Sequence, residues 1–250
     1  MANRRLMIEV VDLWKSFGES EVLSGANLSV EEGSTCVILG TSGSGKTVLM
    51  KHVIGLLKPD RGQVIVDGED VVPFGPEELA RVRRKFGMVF QGSALFDSMT
   101  VYENVSFLLR EHTRMSEEEM REIVRQKLEI VGLRNVEDKY PADLSGGMRK
   151  RVGLARGIVL DAKIVLYDEP TTGLDPITTD YVDEMILDAK RQLGVTSLVI
   201  SHDVASSFKV ADTIAFLYQG RIAERLPPAQ LRESQNPAVK LFLQTWFGKN

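Results

Sequence analysis

The feature that most constrains this chain is a glycine-rich run between an apolar stretch and a helix-like stretch. Thr35–Leu39 is apolar, and Lys46–Gly55 has the pattern of a helix that ends near its glycine. The connecting run fits the pattern G-x-x-x-x-G-K-[ST] and consists of Gly40, Thr41, Ser42, Gly43, Ser44, Gly45, Lys46 and Thr47. Such glycines let backbone N–H groups point at phosphate oxygens, beside the positive end of the following helix. A chance match has odds of about one in a hundred, so we expect a phosphate-binding loop.

Two carboxylates follow a second apolar stretch. Ile164–Tyr167 is typical of a buried strand, and it ends at Asp168 and Glu169. Alone, this would be an ordinary strand meeting an Asp-Glu-Pro turn. Together with the loop, it predicts that Lys46 contacts the β- and γ-phosphates and that Thr47 and Asp168 hold Mg²⁺. Glu169 would then polarise the attacking water.

Ordinary shares of hydrophobic residues, 43%, and charged residues, 26%, exclude a disordered, collagen-like or coiled-coil chain. Strand-like and helix-like stretches alternate, which predicts an α/β fold with a mainly parallel sheet.

The formal charge of −4 disfavours nucleic acid as the main partner. The single cysteine, Cys36, has apolar neighbours and is expected to be a buried thiol. No apolar run reaches the roughly 20 residues needed to span a bilayer, so we expect any membrane role to depend on a partner.

The middle of the chain has a different pattern. No clear strand is predicted between Thr100 and Leu160, where Val101–Arg110 and a stretch from Ser116 to about Val131 have helical patterns. We therefore expect a helical lobe inserted into the α/β core, and a short helical tail that begins at Pro227.

A second anion-binding motif stands before a helix predicted from about Arg149 to Leu160. It is the run Leu144-Ser145-Gly146-Gly147-Met148. In isolation it could be a helix cap with a glycine turn, but its place ahead of Asp168 and Glu169 makes that reading improbable. The run resembles the LSGGQ signature of ABC ATPases, with Met148 in place of the last glutamine.

This resemblance covers essentially the whole chain and implies one ABC ATPase domain over residues 1–250. The fold would be a P-loop NTPase core with a mainly parallel sheet, an N-terminal antiparallel β part and an inserted helical subdomain. The core would comprise residues 1–98 and 159–226, the helical subdomain 99–158, and the C-terminal helical tail 227–250.

The family also implies roles for individual residues and a head-to-tail homodimer. Each ATP would lie between one chain's phosphate loop and the Ser145, Gly146 and Gly147 of the other. The remaining positions are Gln91 of the Q-loop, which contacts Mg²⁺, Asp175 of the D-loop, the switch histidine His202, and Phe17 stacking on adenine, with Trp14 as its alternative. Catalysis would rest on Glu169, His202 and Lys46, with ATP and Mg²⁺ bound.

Several short runs have a narrower resemblance, to the ATPases of Mla-type, MCE-associated phospholipid transporters. They are Arg110-Glu111-His112-Thr113, the signature with Arg149, Asp175-Pro176-Ile177-Thr178, Ser201-His202-Asp203-Val204 and the tail from Asn236 to Leu243. That family implies a permease dimer, an MCE-type substrate-binding protein, phospholipid as the transported substrate and a peripheral place on the cytoplasmic face of the inner membrane. A small regulatory protein is a further candidate partner, and nucleic acid is not expected. The alternatives are an ABC ATPase for another solute and, less favoured, a soluble ABC ATPase outside transport.

Four features stay open at this stage. The surface around Gln91, Phe96 and Met99 is a candidate permease groove or ordinary packing within the lobe. The basic cluster Arg81, Arg83, Arg84, Lys85 is expected on a solvated helix face, and the cluster Arg149, Lys150, Arg151 is expected near a phosphate or an acidic partner. His52 and His112, expected on a helix and in a loop, are treated as structural or solvent-facing. The tail could bind a regulatory protein, wrap a neighbouring subunit or simply pack.

Overall fold

The structure, a computed structural model, describes residues 5–247, and contacts divide the chain into two compact units. Among the described residues, the first unit comprises 5–83 and 198–247, and the second is Arg84–Ser197. Up to residue 83 the elements are β1 (Leu6–Phe17), β2 (Ser20–Glu31), β3 (Thr35–Leu39), α1 (Lys46–Val53), β4 (Arg61–Val66), β5 (Glu69–Asp70) and α2 (Pro76–Arg83).

The rest of the chain completes both units. The second unit contains β6 (Phe86–Val89), α3 (Val101–His112), α4 (Glu117–Ile130), a 3-10 turn (Pro141–Asp143), α5 (Gly146–Gly157), β7 (Ile164–Asp168) and α6 (Pro176–Leu193). The chain returns to the first unit within β8 (Thr196–Ser201) and continues through α7 (Val204–Val210), β9 (Thr213–Tyr218), β10 (Arg221–Leu226), α8 (Pro228–Arg232) and α9 (Pro237–Phe247).

An antiparallel sheet with the order β2-β1-β4-β5 lies in the first unit. The sequence predicted its first strand only over Met7–Asp12, but β1 continues to Phe17. A register shift between Val10 and Leu13 allows this, with Asp12 at a φ of 45°. Gly62 lies opposite, where a Cβ would be 2.3 Å from the Asp12 carbonyl oxygen. A glycine is therefore required beside this bulge, which carries the strand on to Phe17.

Parallel pairing positions the phosphate-binding loop. In the first unit β3 pairs in parallel with β9, and all five of its residues are buried. The loop follows the carboxyl end of β3, where ligands bind in sheets of this kind. The antiparallel strand β10 was not predicted; it follows a tight turn at Gln219 and Gly220, which have φ of 46° and 72°.

The second unit joins the parallel pair β6 and β7 to the helices α3 to α6. The helix α5 lies very close to β6, because a Cβ on Gly87 would be 2.5 Å from the Gly157 carbonyl oxygen. The sequence placed this helix at about Arg149 to Leu160, but it begins at Gly146 and ends at Gly157. It starts earlier because Ser145 is its N-cap. His112 is the last residue of α3 and not part of a loop.

The two C-terminal helices belong to the first unit. The Phe242 ring of α9 lies 5.0 Å from the Phe216 ring of β9, and Val239 and Leu243 are buried. The described part of the tail therefore packs on its own chain. Cys36 is fully buried, as predicted.

Within residues 5–247, no helix combines the length and the apolar character that crossing a bilayer requires.

Candidate functional site

The phosphate-binding loop of the first unit has the backbone that its glycines predict. Gly45, just before α1, has a φ of 100°, a conformation that side chains disfavour. At Gly40 a Cβ would lie 2.4 Å from the Leu217 carbonyl oxygen, so the loop begins in direct contact with β9. The backbone path from β3 into α1 therefore depends on glycine at both ends of the loop.

The polar side chains of this loop are suited to a phosphate. Lys46 is only 6% exposed, and its ammonium donates hydrogen bonds of 2.9 Å to the carbonyl oxygens of Gly40 and Thr41. Ser44 Oγ is buried and has no hydrogen-bond partner among residues 5–247. Burying an unpartnered hydroxyl is costly, and a phosphate oxygen would satisfy it. Thr47, at the start of α1, is exposed.

Two aromatic residues near the end of β1 have different surroundings. Phe17 is 48% exposed, and the Lys15 ammonium lies 5.5 Å from its ring centre. The Trp14 indole donates a 2.7 Å hydrogen bond to Asp12, and the guanidinium groups of Arg61 and Arg221 each lie 5.9 Å from its ring. Trp14 is therefore partly buried and held by three neighbouring side chains, whereas about half of the Phe17 surface is exposed.

The predicted switch histidine follows β8 in the first unit. His202 is exposed, and the next residue, Asp203, caps α7 by accepting a hydrogen bond from the Ser206 N–H. This cap fixes the turn from which the His202 side chain leaves the sheet.

In the second unit, β7 ends at the two predicted carboxylates. Its apolar residues are buried, while Asp168 and Glu169 are partly exposed. Glu169 has a φ of 51°, a left-handed conformation that is costly for a side-chain-bearing residue and is typical of functional sites. Thr172 Oγ1 donates a 2.9 Å hydrogen bond to the Glu169 carboxylate. The turn thus holds this carboxylate in a defined orientation.

The signature residues lie at the N-terminus of α5. Ser145 Oγ accepts a 3.2 Å hydrogen bond from the Met148 N–H, and the side chain remains exposed. The D-loop lies beside this terminus, since a Cβ on Gly146 would be 3.9 Å from a methyl group of Leu174, the residue before Asp175. Free N–H groups and the helix dipole make such a terminus attractive to anions.

Asp175 caps the neighbouring helix α6. Its carboxylate accepts hydrogen bonds from the N–H groups of Ile177 and Thr178, and a 2.5 Å bond from the Thr178 hydroxyl. These bonds hold the pKa of Asp175 below its ordinary value, with the Thr178 hydroxyl as the largest cause. The D-loop carboxylate is therefore committed to its own helix cap.

Gln91 follows β6 in the second unit and is exposed. Its carbonyl oxygen accepts a 2.7 Å hydrogen bond from the buried Lys150 of α5. Further on, Phe96 is 44% exposed and Met99 partly exposed. The sequence did not indicate the Lys150 contact, because a carbonyl acceptor has no residue-type signature.

The second basic cluster lies on α5, where Lys150 is buried and the two arginines beside it are partly exposed. Arg149, Lys150 and Arg151 donate to the carbonyl oxygens of Leu144, Gln91 and Val131 respectively. Within residues 5–247, each of these three cations therefore has a backbone carbonyl acceptor. In the first cluster, Arg81 forms an ion pair with Glu69, while Arg83 donates to the Ile54 and Gly55 carbonyls.

Comparisons with known proteins agree with this set of motifs. Residues 23–172 match the family model described as ABC transporter. The chain is 44% identical to the "Probable ribonucleotide transport ATP-binding protein mkl" of Mycobacterium leprae, over 94% of this chain and 68% of that protein. It is 39% identical to the "Intermembrane phospholipid transport system ATP-binding protein MlaF" of Haemophilus influenzae, over 95% of this chain and 90% of that protein.

A solved structure has the same fold. It is the "Dimeric structure of a post-hydrolysis state of the ATP-binding cassette MJ0796 bound to ADP and Pi". Its TM-score is 0.78 at 30% identity, over 89% of this chain and 99% of that one. The α/β P-loop fold expected from the sequence is thereby confirmed. With a family match over more than half of its length, the chain belongs to the ABC transporter family and is an ATP-binding, ATP-hydrolysing subunit of a transporter.

Proposed function

We propose that this chain powers phospholipid transport between membranes. The observation that carries the proposal is the relation to the Haemophilus influenzae phospholipid transport protein, of which the chain covers 90% at 39% identity. The Mycobacterium leprae relative is named for ribonucleotide transport, but about a third of that protein lies outside the aligned region. Ribonucleotide is therefore the second candidate substrate.

Two copies of the chain would act as an ATP-driven clamp. The proposed site takes ATP between the phosphate-binding loop of one copy and Ser145, Gly146 and Gly147 of the other. The dimeric state of the relative bound to ADP and Pi supports the pairing of two copies. Closure would stabilise the triphosphate by placing positive charge and N–H dipoles on both sides of it.

Each proposed role follows from the contacts above. Lys46 would exchange its two loop carbonyls for β- and γ-phosphate oxygens, and Ser44 would gain the acceptor or donor that it lacks. Glu169, oriented by Thr172, would act as the base toward water. His202 would hold the γ-phosphate, and Phe17 would stack on adenine in preference to Trp14.

The residues also fit Mg²⁺, a hard ion that prefers oxygen ligands and retains several waters. Thr47, Gln91 and Asp168 offer a hydroxyl, an amide oxygen and one carboxylate, and all three are at least partly exposed. Among residues 5–247, no cluster of three or more acidic, histidine or cysteine side chains forms an alternative metal site. When bound, the ion would neutralise charge on the phosphates during transfer.

The expected partners are a permease dimer, an MCE-type substrate-binding protein and, as a further candidate, a small regulatory protein. The proposed place is the cytoplasmic face of the inner membrane, through the permease. Residues 99–158 are proposed as a helical subdomain that moves with the Q-loop, and 227–250 as a C-terminal tail outside the α/β core of 1–98 and 159–226. The surface of Gln91, Phe96 and Met99 is the proposed permease contact.

Purification of the native complex tests this proposal. We expect the chain to co-purify from membranes with a permease, an MCE-type protein and bound phospholipid, and the reconstituted complex to transfer labelled phospholipid between vesicles when ATP is supplied. A Glu169→Gln complex is the matched inactive control. A complex that moves ribonucleotide and no phospholipid would support the second candidate, and co-purifying ribosomes or nucleic acid would contradict both.

A further inference from the structure

One face of α5 lies along the segment that follows β6. We call residues 91–96 the Q-segment. Lys150 donates a 2.7 Å hydrogen bond to the Gln91 carbonyl oxygen. A Cβ on Gly153 would lie 3.4 Å from the Ser93 carbonyl oxygen. Arg156 donates to the Ser93 and Ala94 carbonyl oxygens, at 3.1 and 2.8 Å. Residues three apart on a helix share a face. Lys150, Gly153 and Arg156 therefore contact the Q-segment along two turns of α5.

The Q-segment needs external support. Ser93 and Ala94 have φ of 63° and 47°, so two consecutive residues with side chains adopt the left-handed conformation. That conformation is costly and persists only where the surroundings hold it. The guanidinium of Arg156 matches this task, because its planar fork can donate to two carbonyls at once. Ser93 itself is buried, so its carbonyl has little access to water.

Burying the charge of Lys150 costs more free energy than its single hydrogen bond is expected to return. The residue is 3% exposed, and burial lowers the pKa of its ammonium. Among residues 5–247 the Gln91 carbonyl is its hydrogen-bond acceptor, and no carboxylate offsets the burial. An apolar side chain of similar length would avoid the desolvation cost. A stabilising role alone therefore does not account for a lysine here.

The far end of the segment is anchored to α3. Asn104 is fully buried, accepts a 2.8 Å hydrogen bond from the Phe96 N–H and donates a 3.1 Å bond to the Phe96 carbonyl. The Phe96 ring lies 5.2 Å from Phe107 and 5.9 Å from the Arg156 guanidinium. The exposed Phe96 ring is thus positioned from both helices.

We propose that Lys150 and Arg156 are positioning residues that tie the Q-segment to the signature helix. This inference rests on the proposed function, in which Ser145 at the start of α5 contacts ATP. Because the two residues tie the Q-segment to α5, a shift of α5 on ATP binding moves Gln91 and Phe96 with it. Nucleotide capture and displacement of the proposed permease contact are then one motion.

The test uses the complete ATPase–permease complex with Lys150→Met and Arg156→Met. We expect the phospholipid transferred per ATP hydrolysed to fall about tenfold in each, the size associated with one charge-assisted hydrogen bond. Thermal unfolding separates this from a structural effect, because Lys150→Met removes a buried charge and should leave the melting temperature unchanged or higher. Lys150→Arg, which retains a charged donor, should restore part of the coupling.

Lys127→Met is the matched control. That lysine is also largely buried and in the same unit, but it is paired with Asp161 at 2.6 Å, and coupling should be unchanged. Normal transport per ATP in folded Lys150→Met or Arg156→Met would overturn the assignment for that residue, and loss of cooperative unfolding would assign it to structure instead. Failure of the unmodified complex to transfer phospholipid would contradict the proposed function and not this inference. Coupling would then be measured as the ratio of permease-stimulated to free ATPase activity, and the two variants should lower that ratio.

Discussion

The hydroxyl of Thr172 donates a 2.9 Å hydrogen bond to the carboxylate of Glu169, a residue held at a φ of 51° directly after β7. The strained turn and the hydrogen bond together hold this partly exposed carboxylate in one orientation just after the buried strand. This is the orientation that a general base at the end of a strand requires.

Glu169→Gln should abolish turnover without preventing nucleotide binding. The amide cannot accept a proton from water, so we expect the hydrolysis rate to fall by a factor of 100 or more, roughly the contribution of a positioned base. ATP binding and single-turnover hydrolysis should be measured together. Glu118→Gln, an exposed position on α4, is the control. An unchanged rate in Glu169→Gln would assign the base elsewhere.

Lys46→Ala should weaken ATP binding. The lost contacts are charge-assisted, so the Kd should rise about tenfold or more. Isothermal titration of ATP and of ADP measures the change, and ATP should be affected more because it carries the γ-phosphate. Lys51→Ala, exposed on the same helix, should bind as the unmodified chain does. Equal losses in the two variants would point to a general effect of charge.

Phe17→Ala should change the affinity for ATP, whereas Trp14→Ala should change the melting temperature. Stacking on a base is worth about 1–3 kcal/mol, so Phe17→Ala should raise the Kd for ATP about tenfold with little change in melting temperature. Trp14→Ala removes an indole held by Asp12 and two arginines, so it should lower the melting temperature instead. The reverse pattern would make Trp14 the adenine contact.

Asp175→Asn should reveal a pH-dependent contribution to stability. The hydrogen bonds to Thr178 lower the pKa of Asp175 in the folded chain, so the ionised form stabilises the fold. This contribution is fully present above the unfolded pKa, near 3.8, and is lost as pH falls through the lower folded value. The stability difference between the two proteins should therefore be constant near neutral pH and disappear under acid. A difference that grew toward low pH would contradict the assignment.

Much of this arrangement follows from local chemistry in the sequence. The loop from Gly40 to Thr47 needs its glycines, and Asp168 and Glu169 end an apolar strand, so both could be located without coordinates. The signature helix was placed too late because Gly146 and Gly147 are poor helix formers, although Ser145 already provides a cap.

Other features depend on tertiary contacts that no residue pattern records. The bulge at Asp12 hides the second half of β1, and the strand β10 alternates charged and apolar residues after an unusual Gln-Gly turn. Lys150 and Arg156 have surface-type side chains, and only the folded backbone places the Gln91, Ser93 and Ala94 carbonyls beside them. For the same reason the arginines around Trp14, which support the proposed preference for Phe17, have no signature in the sequence.

The most direct measurement is the structure of the ATP- and Mg²⁺-bound Glu169→Gln protein in its transport complex. The composite site predicts that Ser145 Oγ of the partner subunit lies within hydrogen-bonding distance of a γ-phosphate oxygen, about 3 Å, across from Lys46 on the first copy. A complex in which each nucleotide contacts one chain only, with both signature serines remote from phosphate, would contradict the account.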